Sequence, residues 1–256
     1  MKTDMFSVKD KVIFVSGGNR GLGREIAVGL ARLGANLVIG ARDEKTLIST
    51  AEAIKQEHQR CSYVTMDVTS EEDVRKAIEL AQEKAGGAID VLINNSGMNV
   101  ENVKAENISD SDWQQVLNVN LNGYFRLGKA AVKGMITRRS GKIINVSSVL
   151  GTNPVPLAVG YCVSKGAINQ LTRTWAVEWS RYNIQVNSVA PAYILTDINK
   201  DQLSNEKFLE KILGRIPAGR IGEHKDLLGA IVFLSSASSD YITGAVLPVD
   251  GGWSAC

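Results

Sequence analysis

The chain is poor in the residues that build metal centres and covalent cross-links, with 3 cysteines and 2 histidines in 256 residues. Cys61, Cys162 and Cys256 show no CxxC spacing. An odd, sparse count fits a reducing compartment and excludes a disulfide framework. His58 and Cys61 form one HxxC pair, but no second pair completes a ligand set, so no metal is expected. No segment reaches the roughly 20 apolar residues of a transmembrane helix. The opening MKTDMFSVKDKVIF lacks the apolar run and small-residue cleavage site of a secretory signal. The expectation is a cytoplasmic protein without a membrane partner. Net charge is only +2, and the basic residues are scattered apart from TRRSGK at 137–142, so nucleic acid is not an expected partner either. No GxSxG elbow is present, which argues against hydrolysis at a serine.

What the chain does have is alternation. KVIFVS (11–16), NLVIGA (36–41), CSYVTM (61–66), DVLINN (90–95), GKIINVS (141–147), IQVNSVA (184–190) and AVLPVD (245–250) read as strands. Several are almost continuously apolar, as parallel strands covered on both faces must be. Helical periodicity fills 21–34, 43–57, 70–85, 110–137, 160–181 and 223–236. The pattern predicts one α/β domain over residues 1–256, a Rossmann-type doubly wound parallel sheet of about seven strands. Residues 192–222 have weaker periodicity and are a candidate substrate lid. Its cations, Lys200, Lys207, Lys211, Arg215 and Arg220, are available to meet a carboxylate but read more simply as solvated helix faces.

VSGGNRGLGREIA lies between the first strand and the first helix. Gly17, Gly21 and Gly23 give the spacing GxxxGxG. Glycines there allow a tight turn and close backbone approach to a pyrophosphate, and the helix start offers unpaired N–H groups. A dinucleotide site is therefore expected. Further on, YCVSK (161–165) sets Tyr161 and Lys165 four apart, on one helix face. Ser148 closes the strand IINVSS, at the end of the sheet where such folds bind ligands, and because strand residues alternate faces only one of Ser147 and Ser148 can face the cleft in a regular strand. In WQQVLNVNLNGYF (113–125), about 100° per residue groups Asn120 with Trp113, Val116, Leu117 and Tyr124, and leaves Asn118 and Asn122 on the polar side. An asparagine on an apolar face needs a buried partner.

Together these segments resemble the short-chain dehydrogenase/reductase family over essentially the whole chain. Its loop reads TGxxxGxG, with Ser16 here for the threonine. NNSG (94–97), MDVT (66–69), PAYILT (191–196) and TGAVLPVDGGW are similar to its other signatures, with Ser96 and Ala192 as departures. The resemblance implies Asn120, Ser148, Tyr161 and Lys165 as the catalytic set. It selects Ser148 over Ser147 and has Asn120 hold a water in a relay to the lysine. It implies cofactor contacts at Gly17, Asn19, Arg20, Gly21, Leu22, Gly23, Arg42, Asp67, Val68, Asn94, Ser96, Gly97, Tyr161, Lys165, Pro191, Ala192 and Thr196. Hydride exchange at an alcohol carbon needs a proton transfer at oxygen. Tyrosine, with a reference pKa of about 10, would need a shift of roughly 3 units, about 4 kcal/mol, to work near neutrality. Lys165 and the positive ring of the oxidised cofactor are expected to act in that direction.

The C-terminal third is most similar to sugar-acid dehydrogenases of the gluconate 5-dehydrogenase type, and also to 3-oxoacyl carrier-protein reductases. A sugar acid or polyol is the expected substrate. A non-catalytic dinucleotide sensor on the same fold is the alternative of another class, and would not need the four catalytic residues together. The family's dimer-forming helices correspond to 110–137 and 160–181, and the C-terminal region with Trp253 is expected to join dimers into a homotetramer. NADP is expected in preference to NAD. The acid that binds the adenine ribose in NAD enzymes is replaced by Ala41, and Arg42 and Arg20 stand ready to fork a 2′-phosphate. Asp43 reads as a helix N-cap.

Overall fold

The computed structural model describes residues 5–57, 60–100, 103–196 and 199–256. His58 of the HxxC pair lies outside the described residues. Seven strands pair in parallel: β1 (Val12–Ser16), β2 (Asn36–Ala41), β3 (Cys61–Thr65), β4 (Val91–Asn94), β5 (Gly141–Val146), β6 (Ile184–Pro191) and β7 (Val246–Val249). Their order is β3-β2-β1-β4-β5-β6-β7. The order reverses between β1 and β4, where Val15 pairs with Ile93, and a crevice opens at the carboxyl ends there.

The sheet is buried on both faces because its strands carry apolar side chains at odd and even positions alike. Ile13 and Val15 face one helical layer, formed mainly by α1 (Gly21–Arg32), α2 (Glu44–Glu57) and α9 (His224–Ser235). Val12 and Phe14 face the other, formed by α3 (Glu71–Ala85), α5 (Gly123–Arg138) and α6 (Val159–Trp179). Each such side chain, once buried, contributes roughly 1.5–3 kcal/mol. Local signals set the ends of the helices. Ser70 accepts from the Asp73 amide at the start of α3, acids fill its first turn, and Gly86 closes it in the left-handed conformation at φ 65°.

Two expectations need correction. The helix expected over 110–137 is broken into α4 (Asp110–Leu117), a π turn (Asn118–Asn122) and α5. The turn is pinned from both sides. Asn120 bonds both backbone groups of Met98, and Arg126 Nη1 donates to Asn118 Oδ1 at 2.9 Å and to the Val68 carbonyl at 3.1 Å. Such π turns gather at functional sites. Trp253, expected at a subunit interface, is instead buried at 5% exposure within the chain, packed in a cluster with Ile212, Ile216 and Tyr193. The guanidinium of Arg215 covers its ring.

Residues 192–222 are not irregular throughout. They contain α7 (Lys200–Leu203) and α8 (Glu206–Leu213), and the segment's two ends are joined by a bridge between Ile194 and Gly222.

Candidate active site

A cleft of about 850 Å³ lies over the carboxyl ends of the sheet. Its first wall is the β1–α1 loop. Gly17 turns at φ 65°, and a Cβ on Gly23 would collide with the Gly17 carbonyl and the Asn95 amide. The loop is therefore closed as tightly as a backbone can be. Above it, α1 starts with no side-chain cap and no acid in its first turn. Its orphan N–H groups and partial positive charge suit a phosphate. Gly17, Asn19, Arg20 and Leu22 line the cleft; Gly21 and Gly23 do not, and act by shaping the loop. These features fit a dinucleotide.

The adenosine end is bordered by Arg42, Asp43, Asp67 and Val68. Asp67 Oδ1 accepts from the Thr69 amide and hydroxyl, both at 2.8 Å. Asp43 Oδ1 accepts from the Thr46 amide at 3.2 Å, which is an N-cap contact at the head of α2. Arg20 and Arg42 are exposed at the rim, and no ion pair holds either among the described residues.

At the end of β4, Ser96 and Gly97 line the cleft, but Asn94 does not. Its side chain is wholly buried and donates to Asn145 Oδ1 at 2.9 Å. Asn95, one residue on and beyond the strand, takes the cleft position and donates to the carbonyls of Ser16 and Gly17, both at 3.3 Å. Pro191, Ala192 and Thr196 line the far wall as expected, beside Tyr193 and Asn199.

Asn120 stands behind the cleft rather than in it. It is wholly buried, accepts from the Met98 amide at 2.8 Å, and donates to the Met98 carbonyl at 2.9 Å and Ser164 Oγ at 3.1 Å. Its side chain is thus occupied in clamping the segment after β4.

β5 ends at Val146, so Ser147 and Ser148 both lie beyond the strand, where the alternation of faces no longer separates them. Both border the cleft. Their hydrogen bonds separate them instead. Ser147 Oγ donates to the Lys165 carbonyl at 3.1 Å. Ser148 Oγ accepts from the Leu150 amide at 3.1 Å, and its side chain acts on the Tyr161 phenol to lower its pKa.

Lys165 is 3% exposed. Its Nζ donates to the Val146 carbonyl at 2.7 Å and lies 3.4 Å from the Tyr124 hydroxyl. It sits 5.5 Å from the centroid of the Tyr161 ring. Burial lowers the Lys165 pKa from 10.5 to about 7, and among the described residues no carboxylate offsets the lost hydration. Burial also raises the Tyr161 phenol to about 12, against the opposing hydrogen bond from Ser148. No depression of the tyrosine by the lysine is found here, and desolvation is the largest influence on both groups.

Sequence reasoning missed the active-site neighbours Asn99, from the segment after β4, and Tyr193 and Asn199, from the segment after β6, which carry no recognisable pattern. Tyr124 carried a signal, its place on the Asn120 face, but not its partner. Of the lid cations, Arg220 is committed to Asp226 at 2.6 and 3.0 Å, and none borders the main cleft.

A doubly wound sheet, a glycine-cradled helix start at the switch point, and a serine–tyrosine–lysine set beside it define a dinucleotide-dependent oxidoreductase. The profile of the family described as Enoyl-(Acyl carrier protein) reductase matches residues 17–254, and the chain belongs to this short-chain dehydrogenase/reductase family. It is 42% identical over 251 residues to 2-dehydro-3-deoxy-D-gluconate 5-dehydrogenase of Bacillus subtilis (strain 168), covering 98% of this chain and 97% of the relative. It is 37% identical to gluconate 5-dehydrogenase of Gluconobacter oxydans (strain 621H), covering 97% and 96%. Among solved structures, a gluconate 5-dehydrogenase from Burkholderia cenocepacia J2315 in complex with NADP and tartrate superposes with a TM-score of 0.94 at 36% identity, covering 99% of this chain and 98% of that one.

The titration of Lys165 predicts a pH signature. Its pKa is lower folded than unfolded, so between about 7 and 10.5 the unfolded chain binds the extra proton and folding stability rises with pH. Lys165→Met removes this dependence. The variant's stability advantage over the wild type should be greatest below pH 7 and shrink towards pH 10, as read from denaturant unfolding. Tyr161 does not interfere in this window, because its raised pKa acts only above about 10. A difference independent of pH would refute the buried charge.

Proposed function

We propose that the protein is an NADP-dependent enzyme that interconverts a secondary alcohol and a ketone on a sugar acid or polyol, in the cytoplasm. The observation that carries this reading is the contact of Ser148 with the Tyr161 phenol above the buried Lys165. Bound nicotinamide dinucleotide supplies or accepts the hydride. The chain's own part is the proton. Tyr161, raised to about 12, stays protonated at neutral pH and is ready to give its proton to a developing alkoxide. Ser148 holds the substrate oxygen against it. In the oxidative direction the phenol must lose that proton, and a protonated Lys165 nearby favours the phenolate.

The sugar-acid reading is supported by relatives named for gluconate and 2-dehydro-3-deoxygluconate. A panel of sugar acids, polyols and 3-oxoacyl thioesters, assayed with both cofactors, tests it. Turnover of a sugar acid or polyol is expected, and Tyr161→Phe should abolish it while leaving cofactor binding nearly intact. Turnover of the thioesters alone would favour carrier-protein reduction, and none at all would favour a dinucleotide sensor.

Cofactor choice follows from the adenosine end. Ala41 offers no carboxylate, Asp43 is engaged at the head of α2, and two guanidiniums without an ion pair among the described residues flank the rim. Arg42→Ala should raise the NADP KM by about tenfold, the cost of a charge-assisted bond, and leave the NAD KM almost unchanged. Wild-type kcat/KM with NAD equal to that with NADP would sink the assignment.

A homotetramer is also part of the proposal. With Trp253 internal, the support comes from exposed apolar residues on α5 and α6, namely Phe125 at 46%, Val163 at 45% and Val177 at 80%. Light scattering at micromolar concentration should give four times the chain mass. A monomer would refute it.

A further inference from the structure

Tyr124 is the largest of the fully buried side chains, and the notable thing about it is its hydroxyl. The ring packs beneath the end of β5, where an apolar residue would serve as well. A buried hydroxyl costs free energy unless it is bonded. Here it donates to the Val146 carbonyl at 3.0 Å. That carbonyl also receives Lys165 Nζ at 2.7 Å, and the two donors stand 3.4 Å apart.

An ammonium group has three donors. Two of those on Lys165 face fixed acceptors, the Val146 carbonyl and the Tyr124 oxygen. With two N–H directions held, the tetrahedral geometry sets the third. Lys165 borders the cleft, so that third N–H is the one left for the Tyr161 and cofactor side. The Tyr124 ring, its centroid 5.3 Å from Nζ, adds a cation–π contact on the same flank. We propose that Tyr124 is a positioning residue that aims the Lys165 ammonium into the cleft through its hydroxyl. The inference rests on the catalytic reading of Lys165 given above.

The groups around Lys165 are few. Tyr161 faces it from its own helix, Tyr124 from α5, and the Val146 carbonyl from β5, and no charged neighbour acts on it among the described residues. Loss of the Tyr124 oxygen therefore removes a partner that favours the protonated amine.

Tyr124→Phe keeps the ring and removes only the oxygen. With the whole enzyme and the substrate found in the panel, kcat/KM should fall about tenfold, the effect of one hydrogen bond to a charged group. The pH limb that reports the lysine should move to lower pH. A pH profile superimposable on that of the wild type would overturn the proposal, since a purely structural role would lower activity without moving it. A stability measurement gives a second readout that needs no activity. The loss of Tm from Tyr124→Phe should be smaller in a Lys165→Met background, and equal losses in both backgrounds would also overturn it. Lys165→Met is the control for the underlying reading. If that variant kept its turnover, the catalytic role of Lys165 would fail; if it lost turnover while Tyr124→Phe left the profile unchanged, only the role of Tyr124 would fail.

Discussion

The bond from Lys165 Nζ to the Val146 carbonyl, 2.7 Å long, joins the two parts of the molecule on which the rest of the site depends. It fastens α6 to the carboxyl end of β5. An amine buried at this depth needs acceptors, because taking an ammonium out of water costs several kcal/mol even after relaxation. Among the described residues no carboxylate neutralises it, and the balance shows as a pKa lowered to about 7. The lysine is consequently poised between its two protonation states near neutrality. Tyr161, one helical turn away, is held in its neutral form by the same burial.

Other contacts around the cleft extend this one. Ser147 caps the Lys165 carbonyl, so the backbone of α6 is tied to the loop after β5 at the residue whose side chain crosses beneath it. Gly151 lets the loop lie directly against the Lys165 backbone, where a Cβ would stand only 2.8 Å from its carbonyl carbon. On the other flank, Asn120 grips Met98 and Ser164 together, linking the segment after β4 to α6. Arg126 carries the same framework to the adenosine end through the Val68 carbonyl. The two ends of the cleft are thus braced by one stretch of chain, the π turn and the start of α5.

The sheet and the glycine loop were legible in the sequence because their causes are local. Seven apolar runs could not be buried otherwise, and the glycine spacing sits where a strand gives way to a helix. The site was legible only as far as its residues obey regular geometry. Tyr161 and Lys165 lie on a regular helix, and their spacing was enough. Asn94 and Asn95 lie where β4 ends, and nothing local shows which of the two turns towards the cleft; the bond from Asn94 to Asn145 decides it from another strand. Ser147 and Ser148 lie beyond β5, and only their separate partners distinguish them. The π turn was invisible for a different reason. Its sequence is helical throughout, and its anchors, Met98 and Val68, are distant in the chain.

The pocket's two ends differ in the same way. The dinucleotide end is built largely from main chain: an uncapped helix start, glycine turns and strand termini. Backbone geometry of that kind is written in glycine spacing and strand position, so the cofactor class could be read early. The substrate end is built from side chains delivered by unrelated loops: Asn99 after β4, Leu150 after β5, and Tyr193 and Asn199 after β6. Asn199 shows how far such residues can mislead. It borders the cleft, yet its amide is spent locally, donating to the Ile194 carbonyl at 2.8 Å and accepting from the Thr196 amide at 2.8 Å. Its role is to shape the loop, and the polar groups that discriminate substrates must be sought among its neighbours. A polar residue in a cleft is informative only after its hydrogen bonds have been counted, and that count belongs to the folded chain.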